Sequence, residues 1–111
     1  MKPVEARDKV LECALEIAKT ELGTSPRLRV VLFGSRVSGE FDSRSDFDIG
    51  FDAGAALSAA ALVRIREAFD ALDIFQRVDI VDLAVARPEF VRMAAKHEEV
   101  ILDRKSNAVA G

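Results

Sequence analysis

Residues 34–52 read GSRVSGEFDSRSDFDIGFD, and the second half of this stretch decides how the chain folds. From residue 46 onward Phe47, Ile49 and Phe51 fall on one side of an extended strand and Asp46, Asp48, Gly50 and Asp52 on the other. A one-residue slip would bury the aspartates and expose the aromatic rings, so the register is strongly constrained. Side chains two apart on a strand leave the same face about 7 Å from one another. Asp46 and Asp48 can therefore share divalent cations, and hard carboxylate oxygens suit Mg2+, which completes its shell with water and substrate phosphates. The stretch points to metal-dependent phosphate chemistry.

Working outward, residues 28–33 (LRVVLF) form a short apolar run rich in β-branched residues that stops at Gly34, which reads as a buried strand. Residues 34–45 between the two strands are polar and serine-rich, with room for one helical turn after Ser35. Before them, residues 4–22 place Val10, Leu11, Ala14, Leu15, Ala18 and Leu22 at helical intervals, ended by Gly23 and Pro26. After them, residues 55–73 carry Leu62, Ile65, Phe69 and Leu72 at the same period and predict a second helix. Residues 77–83 (RVDIVDL) return to a strand, Pro88 opens a third helix running to about His97, and residues 100–102 suggest a last strand or turn. Strands and helices in this order predict an α+β domain over residues 1–103, a small mixed sheet of three to four strands with helices packed on it. The polar face of the Asp48 strand is expected to look away from those helices. Residues 104–111 are expected to fray.

At 111 residues, half of them hydrophobic, the chain suits one domain with a modest core. Sixteen basic against 19 acidic residues leave a net charge of -3, which argues against a general nucleic-acid surface. The first residues are charged throughout, unlike a signal peptide, and no run approaches the roughly 18 apolar residues of a membrane span. The single cysteine, Cys13, has no partner in the chain, so a reducing cytoplasm is expected and Cys13 reads as a small core residue. His97 has no neighbouring ligand or triad partner and reads as a helix-end residue. The phenylalanines read as core.

Two motifs compete for the glycine turn. Gly34 to Gly39 has the spacing of a Walker A loop, but Glu40 and Phe41 stand where that loop needs Lys and Ser or Thr. The other combination is Gly34-Ser35, ten intervening residues, then Asp46 and Asp48. Here the chain resembles the nucleotidyltransferases of the DNA polymerase beta superfamily, whose pattern is GS, ten residues, DxD and a third carboxylate on a later strand. Asp79 and Asp82 both lie on such a strand, three apart and hence on opposite faces. The resemblance selects Asp79. Over about residues 8–103 the order of elements is similar to the minimal nucleotidyltransferases called MNT proteins. Their loop usually reads GSRARG or GSRAKG; here Arg36 is kept, while Val37 and Ser38 replace the small and the second basic residue, and Arg44 lies on the loop's far side.

The resemblance implies Asp46, Asp48 and Asp79 as catalytic and metal-binding residues for two Mg2+ ions. It implies Gly34, Ser35, Arg36 and Ser45 as the binding set for ATP, the nucleotide donor. Three clustered aspartates repel one another unless a cation lies among them, which agrees with that assignment. Larger relatives carry a second domain for the acceptor, and nothing in this chain supplies one, so a partner or self-association into a homo-oligomer is expected. In MNT proteins the partner is a helical HEPN toxin encoded by a neighbouring gene, to whose tyrosine AMP is added. This chain has no tyrosine, so a tyrosine acceptor lies elsewhere. Two other readings stay open: transfer to a small hydroxylated molecule, and a binding antitoxin that occludes its partner without catalysis.

Overall fold

The computed structural model describes residues 3–34, 46–106 and 108–109. Burial of Phe47, Ile49 and Phe51, all fully inaccessible, organises the sheet, because these three residues put the whole of one face of their strand into the core. The strand is β2 (Phe47–Asp52), and β1 (Arg29–Phe33) runs antiparallel to it with Phe33 opposite Asp48. On its other side β2 pairs in parallel with β3 (Val78–Asp82), so that Asp48 lies opposite Asp79. A parallel pair needs a crossover, here α2 (Ala59–Asp70), whose first turn is capped by the Ser58 hydroxyl accepting from Ala61 N at 3.0 Å. Two further strands, β4 (Glu98–Asp103) and the two-residue β5 (Ala108–Val109), extend the other edge and give the order β3-β2-β1-β4-β5.

The first helix, α1 (Pro3–Thr20), lays Ala6, Val10, Ala14, Ile17 and Ala18 on the sheet at intervals of three and four. With α2 it covers the face formed by Val30, Leu32, Phe47, Ile49 and Phe51. Cys13 lies at the border of this core, and burial pushes its thiol up to about 11, so it is not thiolate at neutral pH.

One expectation needs correction. The opposite face is not free of helices: α3 (Pro88–Ala95) packs there, with Ala94 joining Val31, Phe33 and Leu83 in a second apolar cluster. Gly50 makes this possible, because a Cβ at that position would meet Leu83 Cδ1 at 2.5 Å. The gap in the acidic row is thus where Leu83 lies on the strand. The mixed sheet expected from the sequence is present as β1 to β4, and past Asp103 the two residues of β5 add a short pairing at its edge. Asp103 Oδ1 accepts from Lys105 N at 3.0 Å, and Ala108 and Val109 then pair with Asp103 and Leu102. Val109 remains exposed, so backbone pairing and not side-chain burial holds this strand.

Arg104 secures the same corner. Its guanidinium donates to Ala18 O at 2.8 Å in the last turn of α1, and to Leu22 O at 2.5 Å and Ser25 O at 2.8 Å in the turn that follows. Hydrogen bonds from a charged donor contribute about 1.5–3 kcal/mol. Arg104→Ala should therefore cost about 2–3 kcal/mol and lower the midpoint of thermal unfolding, followed by circular dichroism, by about 10 °C. Arg104→Lys should recover less than half, because one ammonium cannot span three carbonyls.

Candidate active site

The parallel pairing of β2 and β3 brings two carboxylates side by side. Asp48 and Asp79 are partners in register, on strands whose spacing is about 4.8 Å, and both leave the face opposite the main core. Asp46 stands one residue before β2, where its Oδ1 accepts from Arg77 N at 3.3 Å. Gly34 closes β1 with a φ of 80°, a left-handed conformation open to glycine. Its Cα faces the Asp48 carboxylate so closely that any Cβ would collide with it. Ser35, Arg36 and Ser45, together with Ser38 and Arg44, lie outside the described residues.

Asp82 belongs elsewhere. Its Oδ2 accepts from Leu57 N at 2.8 Å and its Oδ1 from Ala84 N at 3.1 Å, so it ties down the chain on either side of the crossover. Asp79 thus lies beside Asp48, whereas both carboxylate oxygens of Asp82 are taken up by backbone N–H groups.

Arg77 is the residue that the sequence reading missed. Its Nε lies 3.2 Å from Asp79 Oδ1 and its Nη2 3.7 Å from Asp46 Oδ2, so one guanidinium serves two of the three acids. The signal was present, since Arg77 precedes Asp79 by two and shares its face. Asp48 is left with the unfavourable position. Burial first, then the charges of Asp79 and Asp46, push its carboxyl above the ordinary value, with Arg77 pulling the other way.

Among the described residues no three His, Cys, Asp or Glu side chains are gathered closely enough to hold a metal ion. Arg77 stands against two of the three candidate ligands. The donor set nevertheless suits a hard divalent cation: three carboxylates, one of them strained by its neighbours' charge, which a cation would relieve.

Beside Asp48 the sheet and α3 enclose a cavity of about 470 Å³, lined by Phe33, Gly34, Asp48, Phe90, Met93 and His97 among others. Phe33 is buried as expected of a core ring, with Phe90 edge-on to it at 5.7 Å between centroids. His97 reaches the cavity through the turn after α3, which its sequence neighbours do not reveal.

A glycine turn abutting a carboxylate, with a second carboxylate in register on the next strand, defines the class as a nucleotidyltransferase domain. The chain belongs to the polymerase beta nucleotidyltransferase family, whose profile matches residues 11–107. It is 35% identical over 92 residues to the "probable protein adenylyltransferase MntA" of Haemophilus influenzae, covering 82% of this chain and 81% of that protein. It is similar to a chain of a solved toxin-antitoxin structure with AMP-PNP, at a TM-score of 0.62 and 25% identity over 81% of this chain and 70% of that one. A structure of the tri-AMPylated Shewanella oneidensis HEPN toxin with MNT antitoxin shares the fold, at a TM-score of 0.60 and 21% identity over 88% and 75% of the two chains. The likeness to minimal nucleotidyltransferases read from the motif is thereby borne out.

Two substitutions should behave oppositely. Gly34→Ala forces a Cβ into the Asp48 carboxylate at a positive φ and should destabilise the fold by about 1–3 kcal/mol in chemical denaturation. Asp48 has its pKa raised in the folded state, so its contribution to stability falls as pH climbs from the ordinary carboxylate value through the raised one, and at neutral pH its charge is a cost. Asp48→Asn should therefore raise the thermal midpoint of the metal-free protein at pH 7. Solvent screening of this half-exposed group limits the gain to about 0.5 kcal/mol, about 2 °C.

Proposed function

We propose that the protein is a Mg2+-dependent protein adenylyltransferase and antitoxin, transferring AMP from ATP to a hydroxyl, a tyrosine's in our reading, of a helical HEPN-type partner toxin. The observation that carries this reading is the contact of the Gly34 turn with Asp48, itself in register with Asp79. The relatives give it direction, one being named a probable protein adenylyltransferase and another belonging to a structure of an AMPylated HEPN toxin in complex with an MNT antitoxin. The absence of tyrosine from this chain agrees with a tyrosine acceptor on another molecule.

In this mechanism Asp46, Asp48 and Asp79 would hold Mg2+, which would take the place of Arg77 as the charge facing Asp46 and Asp79. Bound there, the ions supply charge that activates the attacking hydroxyl and stabilises the departing pyrophosphate. The Gly34 backbone is assigned to the triphosphate, with Ser35, Arg36 and Ser45 completing the binding set that the motif implies. Asp79 on β3 receives the acceptor's proton as the acceptor oxygen forms its bond to the α-phosphorus. The bond from that phosphorus to the bridging oxygen breaks, and pyrophosphate leaves on the Gly34 side. The proton passes from Asp79 to solvent. Such a protein works where ATP and Mg2+ are plentiful, in the cytoplasm, and no helix among the described residues is long and apolar enough to cross a membrane.

The test is transfer of label from ATP carrying radioactive α-phosphate to the toxin encoded by the adjacent gene. Label should appear on the toxin with Mg2+, vanish with EDTA, and fall about a hundredfold or more in Asp46→Asn and Asp79→Asn. Neutralisation of the toxin by these two variants at wild-type strength would instead establish occlusion, and label on a small molecule would redirect the reading to that substrate class.

A further inference from the structure

We infer that Phe75 and the hollow beside it form the docking surface for the acceptor protein, which meets them with an apolar side chain flanked by Lys or Arg. This inference rests on the transfer reading above and names the surface by which that acceptor is held.

Phe75 departs from the expectation that the phenylalanines serve the core. Phe33, Phe47, Phe51 and Phe69 are buried and Phe90 packs on the second cluster, whereas Phe75 is 63% exposed and belongs to neither cluster. A ring left in water adds little to folding, while aromatic side chains are the residues that anchor interfaces. The chain that carries it is held in place. Gln76 beside it is buried, Ile74 packs on the main core, and Lys9 Nζ donates to Asp73 O at 3.3 Å. Phe75 is therefore presented from a fixed support, which lowers the cost of ordering it on binding.

Its place in the fold decides which partner covers it. Phe75 precedes Arg77 by two residues, at most about 7 Å of chain, and Arg77 pairs with both Asp46 and Asp79. A stable interface covers about 800 Å² on each partner, a patch roughly 30 Å across. A footprint of that size around Asp79 takes in Phe75.

The charge around the ring sets the chemistry of the partner. Beside it lies a hollow of about 450 Å³, lined by Glu5, Asp73, Ile74 and Phe75 among the described residues. Glu5 and Asp73 are exposed and stand with Asp46 and Asp79 against Lys9 and an Arg77 that is already paired. The surplus is negative, which draws a basic surface and repels an acidic one. The same surplus turns the phosphates of a free nucleotide away from this hollow.

Calorimetric titration of the intact protein with the toxin encoded by the adjacent gene, and separately with Mg2+ and a non-hydrolysable ATP analogue, tests the assignment. Phe75→Ser, checked for a wild-type thermal midpoint, should bind the toxin about thirtyfold more weakly, the scale of one lost aromatic anchor, and the analogue unchanged. Asp73→Lys should slow association with the toxin about tenfold at low salt, a difference that disappears near about 0.5 M salt. Wild-type affinity for the toxin in both variants, no toxin binding by the unaltered protein, or equal weakening of toxin and analogue overturns the docking surface. A protein that sediments as a dimer and becomes a monomer in Phe75→Ser also overturns it, by giving the surface to a second copy. Transfer of AMP to the toxin by Phe75→Ser at the wild-type KM overturns the docking surface and leaves the transfer reading standing. The expected binding pattern in a protein that transfers no AMP sinks the transfer reading alone.

Discussion

The repulsion between Asp48 and Asp79 is the constraint to which the rest of the sheet is fitted. Two carboxylates about 5 Å apart at a protein surface repel by about 1–3 kcal/mol, depending on how much water lies between them. Against this stand Phe47, Ile49 and Phe51, fully buried on the other face of the same strand. Each of these contributes about 1.5–3 kcal/mol on burial. Hydrophobic burial wins, and because the side-chain period of a strand is two, the register that buries the rings also aligns the acids. Arg77 then relieves Asp46 and Asp79, leaving the residual strain on Asp48.

This coupling explains why so much was legible in the chain. The alternation of residues 46–52 displays both the burial and the acid row, so β2 and its polar face could be read directly. Helix periodicity located α1 and α2 to within a few residues, since the buried positions Val10, Ala14, Ala18, Ile65 and Phe69 recur at the helical interval. The choice between Asp79 and Asp82 was open on periodicity alone. In three dimensions Asp82 accepts from the backbone of Leu57 and Ala84, while Asp79 lies in register with Asp48.

What stayed hidden depends on contacts between distant residues. Gly50 was visible as a break in the acidic row, but that Leu83 fills the break, and that α3 follows it onto the same face, requires the sheet to be assembled. The fifth strand is held by backbone pairing, which leaves no mark in hydropathy. Arg77 was hidden for a different reason. The motif directs attention to acids, and the cation between them was overlooked although it shares the face of Asp79. The loop residues Ser35, Arg36 and Ser45 rest on the motif alone.

The uneven covering of the second face bears on the acceptor. α3 shelters the half of that face nearest Phe33 and forms the one cavity in which Asp48 takes part among those described. Among the described residues nothing covers the other half, and the side chains of Asp46 and Asp79 are 45% and 42% exposed. Small-molecule sites bury roughly 70–90% of their ligand, which a bare strand edge cannot do. A folded partner brings its own walls and needs only to present a hydroxyl to an accessible carboxylate. On the proposed transfer reading, carboxylates this exposed favour a macromolecular acceptor, and the contrast between the two halves of the face follows from where Gly50 lets Leu83 and α3 rest on the sheet.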